Sequence, residues 1–189
     1  MKKDIILCGV GGQGILSIAT IIGEAATRAG INLKQAEIHG MSQRGGDVQS
    51  NLRLSTDPIW SDTIPQGACD LIISMEPMES LRYLPFLAPD GVVVTSSKPS
   101  VNIPDYPDTD ALFAELNALP HVVQLDIEQA ARDAGNPRGA NMALLGMAAK
   151  HLEIISPTQL REAIATIFAR KGDAVVQANL KVFDEANKQ

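Results

Sequence analysis

A short apolar run, Ile5-Ile6-Leu7-Cys8, passes directly into Gly9-Val10-Gly11-Gly12-Gln13-Gly14. A mostly apolar stretch follows, with Ile15, Leu16, Ile18, Ala19, Ile21, Ile22, Ala25 and Ala26. Apolar run, spaced glycines and apolar helix pattern together demand a buried strand that turns sharply into a covered helix. Gly9 permits the tight turn, Gly11 lets another group approach the backbone, and Gly14 lets helix and strand pack closely. The amides at the helix start favour an anion, so Gly9, Gly11, Gly12 and Gly14 form a candidate anion- or cofactor-facing loop.

The remaining pattern repeats this alternation. Strands are predicted at Lys3–Val10, Asn32–Ile38, Val48–Leu54, Asp70–Met75, Gly91–Thr95 and 121–125. Helices are predicted over 14–29, 76–87, 109–118, 126–135, 138–152, 157–170 and 173–186, with Gly30, Gly135 and Gly172 as stops. Ser156-Pro157-Thr158-Gln159 reads as a capping box with proline at the first helical position. Residues 55–68 and 97–110 hold several prolines and read as irregular connections. In Val48–Leu54, apolar and polar residues alternate, so one face meets water or a polar contact. The whole describes one α/β domain over residues 1–189, a Rossmann-like three-layer sandwich with a mostly parallel sheet and extra C-terminal helices. Those last helices read as an appendage on the sheet.

Composition narrows the function. Lys and Arg number 16 against 22 Asp and Glu, a net charge of −6, with no basic cluster. Nucleic acid is not a fitting partner. No apolar stretch has membrane-spanning length, and the opening Met1-Lys2-Lys3-Asp4 is not followed by a signal-peptide core, so a cytoplasmic location is expected. The two cysteines, Cys8 and Cys69, form no Cys-x-x-Cys pair, so these thiolates alone cannot hold an iron–sulfur cluster or a structural zinc. With 45% apolar residues and few aromatics, some apolar surface is expected to face a partner.

A second stretch, His39-Gly40-Met41-Ser42-Gln43-Arg44-Gly45-Gly46, sets imidazole, hydroxyl, carboxamide and guanidinium groups among glycines. Gly45-Gly46 can form an amide concavity for an oxyanion, and Arg44 can grip a carboxylate or phosphate through two parallel hydrogen bonds. His39 can shuttle a proton. His39, Met41, Ser42, Gln43, Arg44 and Gly45 are therefore the residues expected to face a partner chain or an active site. No third group orients His39 toward Ser42, so no catalytic residue is assigned.

These two motifs resemble the gamma-type subunits of 2-oxoacid:ferredoxin oxidoreductases, and among them the small (beta) subunit of indolepyruvate ferredoxin oxidoreductase. The resemblance continues through Glu76-Pro-Met-Glu-Ser-Leu-Arg-Tyr-Leu84, Gly135-Asn-Pro-Arg-Gly-Ala-Asn141 and Ala178-Asn-Leu-Lys-Val-Phe183. It implies a subunit of an enzyme that turns a 2-oxoacid, coenzyme A and oxidised ferredoxin into acyl-coenzyme A, carbon dioxide and reduced ferredoxin. Thiamine diphosphate, Mg²⁺ and iron–sulfur clusters are implied in the partner subunit and none in this chain, which also lacks a Gly-Asp-Gly segment followed by asparagine. Ferredoxin and coenzyme A then meet the complex, and a homodimer is a further assembly left open. Trp60, Asn51 and Arg53 depart from the pattern and leave the 2-oxoacid undetermined.

Two other readings use the same turn. A free-standing NAD(P) oxidoreductase needs an acid at the end of the second strand, where Glu37 stands beside His39 and Arg44. An adenylating enzyme shares the Gly-x-Gly-Gly-x-Gly turn, but its Asp-x-Asp segment and paired zinc cysteines are missing.

Overall fold

The structure, a computed structural model, describes residues 1–39 and 45–189, with the backbone alone at His39. Six strands form one sheet in the order β2-β3-β1-β4-β5-β6. They span Lys2–Val10 (β1), Asn32–His39 (β2), Asp47–Ser55 (β3), Cys69–Ser74 (β4), Leu87–Ser96 (β5) and Val122–Leu125 (β6). The described helices are Ile15–Arg28 (α1), Pro77–Arg82 (α2), Thr109–Asn117 (α3), Ile127–Asp133 (α4), Ala140–Leu152 (α5), Pro157–Phe168 (α6) and Asp173–Asn187 (α7). The predicted three-layer α/β arrangement is what the chain adopts.

Alternation along β1 divides the core in two. Ile5 and Leu7 join α1 and α4 to α7, whereas Ile6 and Cys8 join α2 and α3. Both faces of a parallel strand are thus covered, which is why β1 reads as a continuous apolar run rather than an alternating one. Of the last four helices, α5 covers the sheet beside α1, and α4, α6 and α7 pack onto α5 and α1 and share their core.

β3 alone runs against the others. It pairs antiparallel with β1 (Ile5↔Leu52, Leu7↔Ser50) and with β2 (Gln35↔Leu52, Glu37↔Ser50). The alternation seen in its sequence is real, but the polar side is largely buried. Gln49 donates to Asn51 Oδ1 at 3.1 Å, and Arg53 reaches the fully buried Asp4 carboxylate through Nε (2.8 Å) and Nη2 (3.1 Å). Arg53 Nη1 also donates to the carbonyls of Ser61 and Thr63, so this guanidinium fixes the 56–68 connection against the sheet. Lys2 provides Asp4 with a second cation at 2.8 Å. A buried carboxylate needs such paired, hydrogen-bonded company.

Local signals set most boundaries. Ser156 and Gln159 form the capping box at α6, and Asp126 and Asp108 accept from the amides of Gln129 and Ala111 to start α4 and α3. Two elements differ from expectation. The helix predicted over 76–87 stops at Arg82 and gives way to a 3-10 turn at Leu84–Phe86, since Pro85 cannot continue the α-helical bonding. β5 begins at Leu87 rather than Gly91, through a register shift opposite Cys69 and Leu71. Gly91 permits it: a Cβ there would stand 2.9 Å from the Cys69 carbonyl oxygen.

α5 is buried on nearly its whole surface, between the sheet and α7. The two helices approach so closely at Gly146 that a Cβ would run into the Phe183 carbonyl. Gly146→Ala should therefore destabilise the fold by about 2 kcal/mol and lower Tm by roughly 4–8 °C. Thermal unfolding followed by circular dichroism measures this, and an unchanged Tm would contradict so close a contact. At the end of the same helix, His151 Nε2 is buried without a hydrogen-bond partner. Burial first, then Lys150 and Lys3, lower its pKa from the usual 6.5, with Glu153 opposing. A depressed folded-state pKa means that the unfolded chain binds the proton more readily. Stability from this group is present above pH 6.5 and is lost as pH falls below it toward the folded value. His151→Gln should flatten that part of the pH–stability curve in urea titrations.

Candidate functional site

The glycine turn lies at the carboxyl end of β1, where parallel strands of an open sheet present their ligand-facing loops. It is braced from within. Gln13 folds its side chain back so that Oε1 accepts from the Val10 amide at 2.7 Å, while its own amide donates to the Val10 carbonyl at 3.1 Å. Gly9 is packed against this brace. A Cβ there would lie 2.9 Å from Gln13 Oε1 and 3.0 Å from Met75 Cβ. Close packing of strand and helix therefore falls to Gly9, not to Gly14 as anticipated. Gly14 instead takes a left-handed φ of 91° and meets α5, where Asn141 Nδ2 stands 2.9 Å from the place a Cβ would take.

Gly11 was expected to admit a foreign group, and the group that arrives is this chain's own backbone. Its amide donates to the Gly46 carbonyl at 2.8 Å, and its carbonyl accepts from the Gly45 amide at 3.4 Å. The two glycine-bearing motifs are thus joined directly, and Gly45 is drawn to the glycine turn. Asn102 Nδ2 donates to the Gly45 carbonyl at 2.8 Å. Met41, Ser42, Gln43, Arg44 and the His39 side chain lie outside the described residues. The His39 backbone pairs with Val48 at the end of β2.

A cavity of about 410 Å³ opens beside the turn. Val10, Gly11, Gly12 and Gly14 form one wall, Ile15, Leu16 and Ser17 of α1 another, and Val48 of β3 a third. Gly14 is the N-cap of α1, no side chain caps that helix, and its first turn carries no acid. The positive end of the helix dipole therefore faces the cavity without a protein counter-charge from the helix itself. The chemistry this allows is reception of an anionic group on backbone amides. The two thiols supply no nucleophile. Burial pushes Cys69 up to about 12 and Cys8 above the ordinary thiol range, and Cys8 Sγ points at the Glu79 carbonyl. Among the described residues, no group of three His, Cys, Asp or Glu side chains is arranged to hold a metal ion.

Glu37 is not where a dinucleotide's ribose would need an acid. β3 separates β2 from β1, so Glu37 stands two strand spacings away, roughly 10 Å from β1. Its register partner Ser50 pairs in turn with Leu7, short of the turn, and its carboxylate accepts from Gln35 at 2.8 Å. Asn102 and Asn141 were not anticipated as site residues. Asn141 closes the Gly135–Asn141 segment already singled out, whereas nothing in the sequence around Asn102 signals a tether.

The sequence profile of the pyruvate ferredoxin/flavodoxin oxidoreductase family matches residues 4–189. The indolepyruvate oxidoreductase subunit IorB of Archaeoglobus fulgidus is 38% identical over 154 residues, which is 78% of this chain and 76% of that protein. Its counterpart in Thermococcus kodakarensis is 34% identical over 194 residues, 97% of this chain and 94% of the relative. Among solved structures, the keto/oxoacid ferredoxin oxidoreductase gamma subunit from Geobacter sulfurreducens covers the whole chain and 95% of its own length, with a TM-score of 0.74 at 23% identity. A 2-oxoglutarate:ferredoxin oxidoreductase from Magnetococcus marinus matches with a TM-score of 0.76 at 22% identity, and there this chain corresponds to 30% of a longer polypeptide. A match over almost the entire length, with relatives above 30% identity at both ends of the chain, establishes that the protein belongs to the pyruvate ferredoxin/flavodoxin oxidoreductase family.

Proposed function

We propose that this chain is the small, gamma-type subunit of an indolepyruvate ferredoxin oxidoreductase, a single domain over residues 1–189 with the reactive cofactors in its partner. The observation that carries this reading is the 34–38% identity to IorB subunits, against 24–26% for the ketoisovalerate and 2-oxoglutarate subunits of the same family. The reaction oxidises the 2-oxoacid by two electrons. The carboxylate leaves as carbon dioxide, the acyl carbon forms a thioester with coenzyme A, and two electrons pass to ferredoxin. Thiamine diphosphate with Mg²⁺ in the partner supplies the nucleophilic carbon for the keto group, and iron–sulfur clusters there conduct the electrons.

This chain's part is to shape and close the site. The braced turn Gly9–Gly14 offers backbone amides and the α1 dipole to an anionic substrate or cofactor group at the subunit boundary. The 39–46 motif is assigned to the same boundary, a reading supported by the tie of Gly45 and Gly46 to Gly11. A cytoplasmic location fits a ferredoxin-linked enzyme, and among the described residues no helix is long and apolar enough to cross a membrane.

The test is reconstitution. Neither the isolated 189-residue chain nor the partner alone should reduce ferredoxin with indolepyruvate and coenzyme A, whereas the copurified complex should. Calorimetric titration of the isolated chain with NADH and NADPH should show no binding tighter than about 1 mM, a weak limit on the affinity scale. Turnover by the isolated chain, or micromolar binding of either dinucleotide, would overturn the assignment.

A further inference from the structure

Between β5 and α3 the chain follows an irregular course, residues 97–107, that adds little to either core. Residues 101–105 are exposed, and Tyr106 packs against the core beneath α2 and α3. Pro99, Pro104 and Pro107 restrict the backbone and carry no amide hydrogen for the sheet. A segment with so few apolar contacts owes its place to its hydrogen bonds. At its start the Ser97 amide donates to the Leu125 carbonyl at 2.9 Å, and the Lys98 amide donates to Ser96 Oγ at 3.0 Å.

The middle of the segment is held by one carboxylate. Glu76 is fully buried and caps α2 by accepting from the Glu79 amide at 3.0 Å. Its other oxygen accepts from the Ser100 amide at 3.2 Å and from the Tyr106 hydroxyl at 2.5 Å. Burial first, then the bond to Glu76, raises the Tyr106 pKa, so the phenol stays protonated and keeps donating. Ser100 and Tyr106 bracket Asn102, whose side chain is exposed and donates to the Gly45 carbonyl. Glu76 also follows directly on Met75, whose amide donates to the Cys8 carbonyl at 3.0 Å and whose side chain backs Gly9.

We propose that Glu76 and Tyr106 form a latch that places Asn102 on Gly45, and that the junction between Gly45 and Gly11 is held shut through this latch. Every link is a hydrogen bond of the folded chain: Tyr106 and Ser100 to Glu76, Asn102 to Gly45, and Gly45 and Gly46 to Gly11. An exposed carboxamide gains little from one bond that water can replace, so Asn102 keeps its partner only while both brackets hold it there. Gly11 and Gly12 are part of the cavity wall, whereas Asn102 and Tyr106 do not line it. The two are positioning residues that act on that wall through Gly45. The inference concerns this chain's own conformation and stands apart from its assignment as a subunit.

The experiment follows amide hydrogen exchange by NMR in the full chain, for the wild type, Asn102→Ala, Tyr106→Phe and the double variant. Asn102→Ala alters an exposed residue and Tyr106→Phe removes a single oxygen, so all of these chains should fold. Exchange of the Gly11 amide should speed up at least about threefold in each single variant, the scale of one lost hydrogen bond. The Gln159 amide, held by the capping box of α6, is the control and should not change. Links in series predict that the double variant exchanges Gly11 within about twofold of Asn102→Ala alone, because Tyr106 has no other route to the junction. A smaller acceleration in either single variant overturns the proposal. So does a matching acceleration at Gln159, which marks general loosening, or a double variant in which the two effects multiply.

Discussion

The antiparallel ladders of β3, with β1 on one side and β2 on the other, decide where Glu37 and the start of β3 stand relative to the glycine turn. Inserting one reversed strand beside the central β1 keeps the turn at the end of β1 intact. It also moves β2, and the acid on it, one strand further out. A parallel neighbour at that position would have brought Glu37 toward the turn, as dinucleotide sites require. The reversed strand brings instead its own entry residues, Asp47 and Val48, opposite Val10 and Gly9. Gly45 and Gly46, just before β3, are thereby brought to the glycine turn and hydrogen-bond to Gly11.

The glycine turn has been put to a different use from the one its pattern suggests. In a nucleotide-binding protein the open backbone at the second glycine approaches a pyrophosphate. Here one face of Gly11 is taken up by a backbone junction within the chain. What remains available is the start of α1, uncapped and without an acid, on the wall of the cavity. The turn is therefore a structural joint with the uncapped start of α1 beside it. Gln13 braces the bend by satisfying the Val10 amide with its own side chain.

Among the described residues, the thiols and the most buried carboxylates are kept out of the arrangement. Both thiols are buried and held protonated, and the carboxylates of highest burial, Asp4, Glu76 and Glu79, are engaged in structural contacts. Asp4 and Arg53 fix one connection to the sheet, while Glu76 fixes another through Ser100 and Tyr106. Such a division suits a family whose members include proteins named as subunits of oxidoreductases.

Local chemistry was enough to read most of the elements. The apolar run of β1, the covered helix α1, the capping box of α6 and the aspartate caps of α3 and α4 follow from periodicity and from side chains that satisfy nearby amides. The glycine spacing also identified the turn, and Gly45 and Gly46 from the end of the second motif meet it at Gly11. Strand order was not legible, because nothing local tells β3 whether to join β1 or to lie beyond β2. The partner of Gly11, the move of the close-packing role to Gly9, the tether from Asn102 and the burial of Gln49 and Asn51 all followed from that order. So the sequence by itself determined the elements and the turn, through interactions spanning a few residues. Tertiary structure alone decided which strands became neighbours, since that choice depends on contacts between residues far apart in the chain and on covering both faces of one sheet at once.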